Sequence, residues 1–163
     1  HYKNFSSMSW VYSCGAGANY GTALESALKM GETIHIPSCC YEIEEYIHGP
    51  NLQLTPQYNV IFFDGNDGAS RRVEQVYKAT RKVTNRAYLI SNNPQLSSDD
   101  HVLSLSDTVS SELSPLVYLP FVQLLSFIVS NDLHSIYQHP LLKEFKAIAA
   151  AKTENFVNYD GDD

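Results

Sequence analysis

Four short apolar runs punctuate the chain: SWVYSCG (9–15), NVIFFDG (59–65), RAYLISN (86–92) and HVLSLSD (101–107). Each is rich in Val, Ile, Leu or aromatic residues and closes on Gly, Asn or Asp, the punctuation of β-strands. Between them the period changes to that of a helix. Residues 19–36 carry Leu24, Ala27 and Leu28 toward one side and charges toward the other. Residues 68–83 gather Val73, Val76, Tyr77 and Thr80 on one face amid Arg, Lys and Glu. Ser114 as N-cap with Pro115 as first helical residue opens a third helix. A fourth is expected after Pro140, and the end of the chain, 153–163, reads as a frayed, solvated tail.

Strands alternating with helices predict an α/β fold, a three-layer sandwich with a mostly parallel sheet flanked by helices. In such sheets ligands bind beyond the carboxyl ends of the strands. Two strand ends run into glycine, Gly15 to Gly21 and Gly65 to Gly68. A length of 163 residues predicts one domain, 1–163, with neither internal repeats nor low-complexity segments.

Composition narrows the function classes. A formal net charge of −7 argues against nucleic acid as partner, because phosphate backbones select basic surfaces. The greasiest segment, 114–129, is shorter than the ~20 residues of a membrane span, and Pro120, Gln123 and Ser126 interrupt it. A buried or interface helix is expected there, not a membrane anchor. The start of the chain has no leader pattern. Cys14, Cys39 and Cys40 cannot all pair, and the adjacent two lack metal spacing, so a reducing, cytoplasmic setting is expected.

Several candidate chemistries remain. GAGANYG (15–21) invites a dinucleotide reading, but position 20 is Tyr20 where the third glycine should stand. A tight turn, or backbone approach to a small anion, explains Gly15 and Gly17 as well. Glu25, Lys29 and Glu32 fall within about 60° of one another on a helix. That stripe reads either as a solvated i,i+4 pair or as a carboxylate set at a helix end. His48 precedes the rigid Gly49-Pro50; it is either a turn residue or an imidazole held in place for proton transfer. A basic face through Arg81, Lys78 and Lys82 reads first as solvated surface, and no GxSxG elbow supports a Ser/His/Asp triad.

The stretch ALESALKMGETIHIPSCCYEIEEYIHGPNLQL (23–54) adds a resemblance. It resembles the sugar isomerase (SIS) domain family, in particular the C-terminal SIS half of the fructosamine-6-phosphate deglycase and glucosamine-6-phosphate synthase group. The family pattern is a helix of the form L-E-x-A-L-K-x-x-E followed by E-x-x-H-G-P. Leu24, Glu25, Ala27, Leu28, Lys29 and Glu32 match the first element; Glu45, His48, Gly49 and Pro50 match the second. The resemblance implies a flavodoxin-like sheet and catalytic roles for Glu32, as the base moving a proton between the first two sugar carbons, and for His48. That histidine would assist at the ring oxygen or leaving group from a neighbouring subunit of a homodimer. Lys29, Glu45, Gly15 and Gly17 would position substrate or catalysts. A phosphorylated sugar or amino sugar is the implied partner, with neither cofactor nor metal.

Two departures refine this. Lys143, Lys146 and Lys152 do not sit in the N-L-A-K-type motif of the synthases, which favours a deglycase or aldose–ketose isomerase. No SxSGxT-like phosphate loop is present, so the chain reads as one half of a two-SIS enzyme. The alternatives are a non-catalytic sugar-phosphate sensor of a regulator, the isomerase half of a synthase-like enzyme, or a dimerisation unit built on helix 114–130.

Overall fold

The computed structural model describes residues 1–105 and 109–135, together with positions 144 and 148. The expected helix past Pro140, apart from those two positions, and the tail lie outside the described residues. Five strands, β1 (Val11–Gly15), β2 (Ser38–Glu42), β3 (Asn59–Asp64), β4 (Ala87–Ser91) and β5 (Val102–Ser104), form one all-parallel sheet in the order β2-β1-β3-β4-β5. The helices are α1 (Tyr2–Ser6), α2 (Asn19–Ile34), α3 (Ile43–Ile47), α4 (Ser70–Thr80) and α5 (Ser114–Leu133). The expected α/β sandwich is thus the observed one.

Strand residues alternate between two cores, as a period of two demands. Val11, Ile61, Phe63 and Ile90 face α2 and α5, where Met30, Ile34, Tyr118 and Val122 meet them. Tyr12, Cys14, Val60, Phe62 and Leu89 face α3 and α4, against Tyr46, Val73, Val76 and Tyr77. Strands β1, β3 and β4 are buried along their whole length, which accounts for their near-continuous apolar runs. All four expected strands are present. The segment SCCYE, which lies outside the four apolar runs, forms the edge strand β2; it is only half-buried, and its polar residues gave no strand signal.

Helix α2 rotates relative to expectation. Its inward face is Ala23, Ser26, Ala27, Met30 and Ile34, while Leu24 and Leu28 are exposed. Small residues suit the inner face because α2 lies tight on α5 and on β1 and β2. Helix α4 buries Val73, Val76, Tyr77 and Thr80 as its pattern predicts. Helix α5 starts at Ser114 itself, after a 3-10 turn over Ser111–Leu113. Over Ser111–Leu133, mean hydropathy reaches 1.7, enough by length and composition to cross a membrane. Its inner side, Tyr118, Val122, Leu125 and Val129, belongs to the core, while Leu116, Leu124 and Phe127 face outward.

Candidate functional site

The order 2-1-3-4-5 reverses between β1 and β3, and a doubly wound sheet opens its ligand crevice at that point. Both glycine loops lead there. A Cβ on Gly15 would lie 2.3 Å from the Asn19 carbonyl oxygen, so only glycine fits where the turn closes onto α2. Gly17 has φ +53 and lies against Asp67 of the other loop. A Cβ on Gly65 would come within 3.0 Å of the Asn19 side-chain amide.

Beneath the loops lies a buried polar network that the sequence reading missed. The Asp64 carboxylate, fully buried, accepts from the hydroxyls of Ser70 and Ser91 and from the Asn66 amide. Tyr118 donates to the Asp64 carbonyl at 2.7 Å, and burial pushes its phenol up to about 12. Asn19 donates to Ser114, tying α2 to α5. The signal was available: Asp64 and Ser91 are polar residues ending otherwise apolar strands, a position first read as turn punctuation. Asp67 accepts from the Ala69 amide in the turn before α4, and its own amide donates to the Ser70 hydroxyl.

Glu32 and Lys29 sit elsewhere. The thirteen residues from Asn19 to Glu32 at 1.5 Å rise carry Glu32 about 20 Å from the glycine loops, to the amino-end side of the sheet. There Lys29 Nζ donates to Glu32 at 2.7 Å and lies 3.4 Å from Glu25. The hydrogen bond to Glu32, with the charge of both carboxylates, raises the Lys29 ammonium above its usual value. The expected stripe is therefore real as a charge cluster, and its Glu32 end is half-exposed.

His48 and Glu45 lie on α3, on the opposite face of the sheet. The sequence folds this short helix through a reciprocal cap: Glu42 accepts from the Glu44 amide while Glu45 accepts from the Glu42 amide. Glu45 thus has a structural task at the helix start. His48 is the C-cap, and its Nδ1 stands 2.6 Å from the Glu44 carbonyl oxygen. A carbonyl only accepts, so Nδ1 carries the proton and Nε2 is the atom left for chemistry. Glu44 receives a two-pronged bond from Arg72 of α4, 2.7 and 3.1 Å, which holds the Glu44 carboxyl below its usual range.

One copy of the chain brings Lys29 to Glu32 on one face of the sheet, and at the carboxyl end of β2 it brings the Glu45 carboxylate to the Glu42 amide, beside Gly15, which is the β1 partner of Glu42. Glu32 and His48 flank the half-buried β2 edge from opposite faces. Burial lifts the Cys40 thiol to about 11 and holds that of Cys14 well above its ordinary value, whereas Cys39 is exposed.

A doubly wound sheet of this order, with glycine loops at its switch point and a salt-linked carboxylate on its first long helix, belongs to the flavodoxin-like class. Within that class the SIS domain model matches residues 5–113, and the chain belongs to the SIS domain family. Among relatives, glutamine–fructose-6-phosphate aminotransferase (isomerizing) of Methanothermobacter thermautotrophicus is 31% identical over 131 residues, covering 78% of this chain and 22% of that protein. The enzyme of the same name from Xylella fastidiosa (strain Temecula1) is 29% identical over 125 residues, 76% of this chain and 20% of that one. The chain thus spans about a fifth of the length of these relatives. Among solved structures, the C-terminal domain of glucosamine-fructose-6-phosphate aminotransferase from Francisella tularensis superposes with a TM-score of 0.71 at 24% identity, over 80% of this chain and 37% of that one. Tagatose-6-phosphate ketose/aldose isomerase from Escherichia coli gives 0.72 at 15% identity, over 81% and 39%.

Proposed function

We propose that this chain is one SIS half of an enzyme that moves protons on a phosphorylated ketose, as a fructosamine-6-phosphate deglycase or an aldose–ketose isomerase. Glu32 is the base that takes and returns a carbon-bound proton between C1 and C2. His48, presenting Nε2 from a second copy of the chain, carries the proton that opens the ring or leaves with the amine. Lys29 orients the Glu32 carboxylate. No metal is required by this chemistry, since carboxylate and imidazole together supply both proton acceptor and donor.

The observation that carries the reading is the disposition of Glu32 and His48. The stretch most like the family supplies a salt-linked carboxylate and a tautomer-fixed imidazole on opposite faces of one sheet edge. Their helices pack on opposite faces of the sheet, and two copies meeting along β2 would join them in one site. The name shared by the relatives, an isomerizing aminotransferase acting on fructose 6-phosphate, fits the same substrate class.

The test is a coupled assay for hexose 6-phosphate release from a fructosamine 6-phosphate, with the complete protein. Glu32→Gln should lower turnover by about 10²–10⁴-fold, the usual share of a general base, while circular dichroism and Tm stay unchanged. Near-normal turnover by that variant would remove Glu32 from the mechanism. If the unsubstituted protein is silent yet binds the sugar phosphate, the deglycase gives way to an isomerase of another substrate or to the sensor reading.

A further inference from the structure

We propose that His1, Asp100 and His101 form a site for one divalent transition-metal ion of the zinc and cobalt class, clipping the N-terminal segment to the β4–β5 connection. The sequence gives no hint of it, because ninety-eight residues separate His1 from the Asp100-His101 pair. Folding brings them together: one ligand atom from each lies within 4.8 Å of the others.

Three observations fit an ion held between these side chains. First, each imidazole Nε2 faces its own oxygen of Asp100, His1 at 3.7 Å from Oδ2 and His101 at 3.9 Å from Oδ1. Both separations exceed a hydrogen bond. They lie close to the spacing of two ligands each about 2.0–2.2 Å from a shared zinc ion, so modest side-chain rotation would complete the shell. Second, His101 Nδ1 lies 3.2 Å from the Ala87 carbonyl oxygen. That carbonyl accepts, so the neutral ring holds its proton on Nδ1 and presents the Nε2 lone pair, the outer-sphere arrangement typical of ligating histidines. Third, the rings are held. His101 stacks on Tyr88 with centroids 5.1 Å apart, and His1 meets the Tyr88 edge at 5.5 Å. The backbone of the pair is also fixed, since Asp99 accepts from the His101 amide and from the Tyr77 hydroxyl.

Two imidazoles and one carboxylate suit a borderline ion, not magnesium or calcium, which prefer oxygen shells. A cavity of about 190 Å³, lined by all three residues together with Phe5 and Phe121, adjoins the group. The site stands before β5, at the amino end of the sheet, whereas the glycine crevice lies at its carboxyl end.

The experiment is a titration of the chain with Co²⁺, followed by visible absorption and by competition with Zn²⁺. One equivalent should produce a d–d band without thiolate charge transfer, and Zn²⁺ should abolish it. Asp100→Asn and His1→Ala alter exposed side chains and leave the core intact. Each should weaken Co²⁺ at least roughly tenfold, the loss caused by removing even an outer-sphere partner. His101→Gln should do the same, with its fold checked by circular dichroism because His101 packs on Tyr88. No Co²⁺ binding, a thiolate band from Cys39 or Cys40, or undiminished affinity in both Asp100→Asn and His1→Ala would overturn the site.

Discussion

Two glycines on either side of one turn give opposite expectations. Gly15 has no room for a Cβ, since the Asn19 carbonyl oxygen would stand 2.3 Å away and belongs to the backbone of α2. Gly15→Ala should destabilise the protein by about 1–3 kcal/mol, the usual cost of overpacking. Gly21, inside α2, has nothing within 4 Å of its Cβ position. Gly21→Ala should stabilise by roughly 0.5–1 kcal/mol through helix propensity and a less free unfolded chain. Urea unfolding of both variants decides the matter, and equal signs would show that the crevice turn is not as tight as described. Residue-scale reasoning from sequence reached Gly15 and Gly17 as turn glycines, but it could not see Asp67 against Gly17 or Asn19 reaching Gly65 and Ser114. Those contacts are made between elements far apart in the chain.

At the scale of elements, legibility followed burial. Strands β1, β3 and β4, buried on both faces, announced themselves as apolar runs, and α4 showed its inner face residue by residue. Strand β2 did not, because an edge strand with Ser38, Cys39 and Glu42 needs no apolar alternation. Helix α2 misled for a related reason: Leu24 and Leu28 suggested the buried side, yet the tight approach to α5 favours Ala23, Ser26 and Ala27. Helix α3 is short and depends on its caps and on the Arg72–Glu44 pair. Glu44 titrates below its ordinary 4.5 in the folded chain, so the pair contributes fully above that value and is lost as pH falls through the depressed one. Protection factors of the amides in 43–48 should therefore fall as the pH drops below the ordinary carboxylate value of 4.5, and Arg72→Ala should reproduce that loss at neutral pH. Protection that is indifferent to both changes would mean that α3 is held by Ile43 and Tyr46 alone.

At the scale of the whole molecule, the separation of Glu32 from His48 makes a statement about assembly. If each site draws its histidine from a second copy, mixing Glu32→Gln with His48→Asn in the complete protein should revive activity. Random pairing in a twofold dimer gives half mixed dimers with one intact site each, so about a quarter of full activity should return. Mixtures as inactive as their components would show that both residues serve within one copy.

The strand order described above also governs how the chain is born. Strand β1 precedes the other four strands in the chain, yet it ends up between β2 and β3, pairing Val11 with both Ser38 and Asn59. During synthesis its β2 side can be satisfied once α2 has emerged and folded back. Its other side, with Tyr12, Cys14 and the backbone groups that seek β3, must wait until Asp64 has cleared the ribosome. Loop closure over such separations is slow, and unpaired apolar strands are the species that aggregate. For that interval the central strand that gives the mature sheet its crevice is left without its β3 partner.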